Sequence, residues 1–159
     1  MFTVSLSLPV NEGLNPGQPG LTRAELWQAL QLKVEDATLF VPGMSYCQVV
    51  ARGDNEITRE IVYRGDRRRQ RVTFLPGEWV RFEHLSGPAT GHVMNVIEED
   101  QPGNLHLRFT FEMEVKGLAP GSAEEQAYAD RMRDDYLAAV RGTVDAARKL
   151  QEAGQLTSA

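Results

Sequence analysis

The stretch Asn104–Lys116, NLHLRFTFEMEVK, decides the fold. Leu105, Leu107, Phe109, Phe111, Met113 and Val115 fall on one parity, and His106, Arg108, Thr110, Glu112, Glu114 and Lys116 on the other. Successive side chains of a strand point to opposite faces, so this is a long strand with one apolar and one wet face. Beyond a Gly/Pro loop, Ser122-Ala-Glu-Glu125 has the form of a capping box. Tyr128, Met132, Tyr136, Ala139, Val140, Thr143, Val144, Ala147 and Leu150 then recur at spacings of three and four, the apolar stripe of one long helix. Gly154 suits its stop. The helix is roughly 45 Å long at 1.5 Å per residue, and the strand roughly 43 Å at 3.3 Å per residue. Two apolar surfaces of matching length are expected to pack face to face.

Upstream of that strand the pattern is strand, turn, strand. Tyr46–Arg52, Glu56–Arg64, Arg69–Leu75, Glu78–Leu85 and Ala89–Glu98 are separated by Gly-, Asp-, Asn- and Pro-rich turns, which reads as an antiparallel meander. Phe2, Val4, Leu6 and Leu8 alternate with polar residues and make a first strand closed by Pro9, for seven strands in all. Asn11–Gly20 is a loop, and Thr22-Arg-Ala-Glu25 caps a helix over Arg23–Lys33, with Leu26, Trp27, Leu30 and Val34 on one side. A second short helical piece is expected over Val34–Phe40, stopped at Val41-Pro42-Gly43. The order gives an α+β layer fold: a curved seven-stranded antiparallel sheet, two short helices after its first strand, and a long C-terminal helix on its apolar face.

A chain of 159 residues with 42% hydrophobic and 25% charged residues is an ordinary globular composition, read as a single domain over 1–159. The net charge of -5 argues against nucleic acid as a partner. No apolar run is long enough to span a bilayer, and the alternating N-terminus does not read as a signal peptide. A single cysteine, Cys47, excludes an internal disulfide and fits a cytoplasmic location. His84, His92 and His106 lack metal-ligand spacing, so neither a metal nor any other cofactor is expected.

The order of elements resembles the helix-grip fold of the START/SRPBCC superfamily, which includes the birch pollen allergen. Within it, Pro9-Val-Asn11, Leu21-Thr-Arg-Ala-Glu-Leu-Trp27, Phe40-Val-Pro42 followed by Cys47, Arg59-Glu60, and Phe109-Thr-Phe-Glu112 ahead of Gly121, Glu124 and Glu125 are similar to the AtaL-like branch. The resemblance implies a pocket protein for a small hydrophobic ligand, polyketide-like, aromatic or lipid. Aromatase/cyclases, hydroxylase subunits and chaperone activators occur in the same superfamily, so fold likeness alone fixes no reaction.

A curved sheet gripping one helix leaves a cavity at its centre, and such cavities are the default small-molecule sites. The expected ligand-binding residues are Arg59, Tyr63, Phe74, Phe82, His84, Phe109, Phe111, Met113, Met132, Tyr136 and Val140. Arg59 shares parity with Ile57, Ile61 and Tyr63, and a buried guanidinium needs a partner. It reads as the anchor for a carboxylate, enol or phenol oxygen, as half of a structural pair with a carboxylate, or as a strand-end residue left at the rim. A cyclase or dehydratase is the alternative function, with Arg59 polarising a carbonyl and Tyr136, Glu60 or a histidine moving a proton. Such an enzyme needs at least two convergent polar groups in the cavity; a simple binder needs one or none. A protein-interaction module with a collapsed cavity is the third reading. His84 shares parity with Val80 and Phe82, His92 sits on a strand with apolar residues on both parities, and His106 is on a wet face. The run Arg64–Arg71 reads as a hairpin tip whose arginines pair with neighbouring carboxylates or stay wet, or as a contact for phosphate, an acyl-carrier partner or nucleic acid.

Overall fold

The structure, a computed structural model, describes residues 1–157. Strand β1 (Phe2–Pro9) leads through the loop to helix α1 (Arg23–Glu35). Six strands follow: β2 (Met44–Gly53), β3 (Glu56–Tyr63), β4 (Asp66–Leu75), β5 (Trp79–His84), β6 (Ala89–Glu99) and β7 (Leu105–Val115). Helix α2 (Ala123–Glu152) closes the chain. The seven strands form one antiparallel sheet in the order β1-β7-β6-β5-β4-β3-β2, so β1 docks on the far side of β7 with Phe2 opposite Met113 and Leu8 opposite Leu107. This is the helix-grip architecture expected from the sequence. No helix among the described residues is long and apolar enough to cross a membrane.

The second short helix is smaller than the apolar pattern suggested. Asp36 breaks away from α1 in an extended conformation, and a single 3-10 turn over Ala37–Leu39 follows, capped by the Asp36 carboxylate on the Thr38 N–H. The box at Thr22 is complete: its hydroxyl accepts from the Glu25 N–H, and the Glu25 carboxylate accepts from the Thr22 N–H. The box at Ser122 is only half built. Ser122 accepts from the Glu125 N–H, but the Glu125 carboxylate turns to the N–H of Gly121 instead.

Burial follows parity. Phe2, Val4 and Leu6 of β1 and Leu105, Leu107, Phe109, Phe111 and Met113 of β7 are all buried, facing Ala129, Tyr136, Val140, Val144 and Ala147 of α2. Two register shifts between β2 and β3 curve the sheet's edge. Gly91 in β6 has a φ of +117° and its missing side chain makes room for the Glu112 carbonyl, which a Cβ would meet at 2.0 Å. Helix α1 lies across one end of the trough between sheet and α2, and its last turn reaches β3 and β6 through two side-chain contacts that build the site.

Candidate functional site

Between the sheet and α2 lies a cavity of about 100 Å³. That is on the order of the ~150 Å³ apolar cavities that take a benzene ring. One wall is aromatic: Phe82, Phe109, Phe111 and Tyr136 line it, with Phe111 and Tyr136 stacked at 3.8 Å between ring centres. Met44, Met132, Tyr63 and Tyr128 stand around the same space. Asp135 lies there too, and accepts from Arg64 at 2.8 Å, joining the β3–β4 turn to α2.

The other wall is cationic. Arg59 is only 2% exposed. Its Nε donates to Gln70 Oε1 at 2.9 Å, and Nη1 donates to the carbonyls of Lys33 and Val34 at 2.8 and 3.0 Å. Those carbonyls belong to the last turn of α1, where backbone acceptors lack helical partners and favour a cation. Arg59 therefore caps α1, and its guanidinium also lies 4.8 Å from the Phe82 ring centre. The carboxylate pair expected of a structural arginine is replaced by these neutral acceptors. Asp36 acts on it only through space, and Cys47 Sγ lies 3.5 Å from Nη1.

Lys33, 4% exposed, points from the same turn into the cavity. Its amine donates to Asn95 Oδ1 at 2.7 Å and sits 4.1 Å from the Phe109 ring centre and 5.2 Å from that of Phe82. Burial, and then the neighbouring Arg59, push its pKa well below that of an ordinary lysine. Among the described residues, Asn95 Nδ2 and Arg68 Nε are buried without a partner. His84, 8% exposed, lies 3.5 Å by its Nδ1 from Gln70 Nε2. Burial, then Arg68 and Arg59, lower its pKa to about 4. At neutral pH it is an uncharged ring and a weak base, poorly matched to general acid–base work. Burial pushes the Tyr136 hydroxyl up, so it stays protonated.

Eight of the residues singled out in the sequence meet at this cavity: Arg59, Tyr63, Phe82, His84, Phe109, Phe111, Met132 and Tyr136. Three do not. Phe74 packs on Trp27, 6.2 Å between ring centres, in a separate hollow of about 260 Å³ between α1 and the sheet. The polar groups of that hollow, Gln31, Glu35 and Arg52, are all exposed. Met113 and Val140 point inward but are consumed by core packing beside the cavity. Glu60, weighed as a proton carrier, sits on the opposite face and pairs with Arg67 and Arg69. His92 lies near Glu112 and Arg81, and His106 beside Asp100, both away from the cavity. The arginine run is mostly paired on the outside, as the hairpin-tip reading has it; Arg68 alone lines the cavity. The sequence reading missed Lys33, Gln70 and Asn95. Lys33 carried a signal: it lies three residues after Leu30 and seven after Leu26, on the apolar stripe of α1.

The AtaL family, described as "Acetylaranotin biosynthesis cluster protein L", matches residues 8–154. A relative of that description from Aspergillus terreus (strain NIH 2624 / FGSC A1156) is 24% identical over 160 residues, covering 99% of this chain and 95% of its own. Among solved structures, the Zhui aromatase/cyclase from Streptomyces sp. R1128 has a TM-score of 0.68 at 16% identity, over 98% of this chain and 99% of that one. A START superfamily protein from Mycobacterium smegmatis has a TM-score of 0.58 at 16% identity, over 90% and 97%. These structural likenesses are likenesses of fold. Because the family match runs along almost the whole chain, the protein belongs to the AtaL family.

Proposed function

We infer that the chain binds a small aromatic or polyketide-like molecule in the cavity between sheet and α2. The observation that carries this reading is the pairing of an aromatic wall with two buried basic side chains, the Lys33 amine and the Arg59 guanidinium, that are in no salt bridge among the described residues. Apolar walls favour a flat hydrophobic body, and the cationic wall favours an oxygen at one end: an enol, phenol or carboxylate. A long aliphatic chain fits less well, because the space is short and one side of it is polar.

Native mass spectrometry and thermal shift with 1-naphthol, 1-naphthoate and decanoate test the reading. One-to-one binding of the aromatic compounds, stronger than that of decanoate, is expected; no shift with any of the three overturns it. A second reading, catalysis of the cyclase or dehydratase type, is favoured by one specific feature. Lys33, Arg59, Gln70, His84, Asn95 and Tyr136 bring more polar groups to the cavity than a passive apolar pocket needs. If turnover of a poly-β-ketone survives Arg59→Leu unchanged, the role of Arg59 in that chemistry is refuted.

A further inference from the structure

The chain has three lysines. Lys116 and Lys149 are exposed, whereas Lys33 is enclosed by two aromatic faces, an asparagine and a guanidinium. The protein is otherwise rich in arginine, with fourteen. An amine on a wall where a cation is so poorly matched by its surroundings calls for chemistry that an arginine cannot perform. We propose that Lys33 is a covalent capture site, whose amine condenses with a ketone of a β-dicarbonyl guest held in the cavity. This deepens the reading of the cavity as a polyketide-like binding site and rests on it.

Three features support the step. An amine attacks a carbonyl only when unprotonated, and desolvation beside another cation is the environment that keeps it so. The pull of both burial and Arg59 on the Lys33 ammonium runs in that direction. Asn95 Oδ1 takes one amine hydrogen, which leaves the rest of the nitrogen facing the aromatic cavity. The buried Asn95 Nδ2, which has no partner among the described residues, is a donor beside the reacting amine, suited to hold the oxygen that leaves.

The reaction balances without oxidant or reductant. The amine nitrogen forms a bond to the carbonyl carbon and gives up its two hydrogens, the carbon–oxygen bond breaks, and the oxygen departs with those hydrogens as water. With a β-dicarbonyl the product settles as an enaminone, conjugated through the second carbonyl and reversed by hydroxylamine.

Pentane-2,4-dione is the probe, small enough for the cavity. The wild-type chain at neutral pH is followed by near-UV absorbance, intact mass and peptide mapping, with 1-naphthol thermal shift run in parallel as a test of the cavity without a carbonyl. Expected is one hydroxylamine-reversible adduct on Lys33, formed roughly ten-fold or more faster than on the exposed Lys116 or Lys149. Lys33→Met, shown to unfold cooperatively, loses that adduct; should it not fold, the mapped site on the wild type decides. A 1-naphthol shift with no adduct, or with adducts only at Lys116, Lys149 or the N-terminus, overturns the capture and leaves the binding reading standing. Failure of both probes overturns both.

Discussion

Lowering the pH should destabilise this fold through one side chain, His84. In the unfolded chain a histidine takes up its proton near pH 6.5; in the fold His84 does so only at about 4. Burial is the main cause, and Arg68 and Arg59 add to it. Between those two values the unfolded chain holds one more proton than the native one, so stability is complete above pH 6.5 and falls as the pH drops toward 4. The separation corresponds to about 3 kcal/mol at 1.36 kcal/mol per pH unit.

The perturbation that isolates this effect is His84→Asn, which keeps a polar acceptor near Gln70 and removes the titration. Urea unfolding followed by the fluorescence of Trp27 and Trp79, at pH values from 7 down to 4, gives stability for both proteins. Every other titratable group is common to both proteins, so its contribution cancels in the difference. Wild-type stability is expected to decline relative to His84→Asn by about 3 kcal/mol across the window. A difference that stays flat, or that moves in favour of the wild type as the pH falls, refutes the buried, neutral imidazole.

Other expectations concern packing and capping. A methyl on Gly142 of α2 would lie 2.5 Å from the Phe40 carbonyl oxygen. Alanine gains about 1 kcal/mol of helix propensity, but overpacking costs roughly 1–3 kcal/mol, so Gly142→Ala should lower the melting temperature; a rise would contradict the close approach. Lys33→Met strands Asn95 and should cost about 1–2 kcal/mol in urea unfolding. The double change Lys33→Met/Asn95→Leu removes the buried polar pair whole and should match or exceed wild type; a double variant weaker than the single would show the pair to be stabilising. Thr22→Ala breaks a complete capping box and should cost about 1 kcal/mol by the same assay, whereas no change would mean α1 is held by packing alone.

The fold was legible because its signals are local and repeated. The alternation in Asn104–Lys116 fixes which face of β7 is buried, and the spacings from Tyr128 to Leu150 fix the matching face of α2. Parity also placed Arg59 and His84 inward, since their strand neighbours are apolar on one side only. It failed on β6, where Val93 and Ile97 compete with Met94 and Val96, and Asn95 was hidden by that ambiguity. Phe74 was misassigned because the twisted sheet turns that part of β4 toward α1 and not α2. Lys33 stayed invisible for a different reason: a lysine on an apolar stripe ordinarily extends its amine to water, and only the tertiary position of α1, jammed between β3 and β6, prevents it. The half-built box at Ser122 shows the same limit, since its Glu125 found another N–H one residue away.

The central claim is that an aromatic guest enters between sheet and α2. Methionine methyls report on it directly: Met44 and Met132 line the cavity, whereas Met1 is exposed and Met94 lies on the opposite face of β6. In an NMR titration of ¹³C-methyl methionine protein with 1-naphthol, saturable shifts are expected at Met44 and Met132, with Met1 and Met94 unmoved. A titration that leaves Met44 and Met132 in place, or moves only Met1 and Met94, contradicts the account.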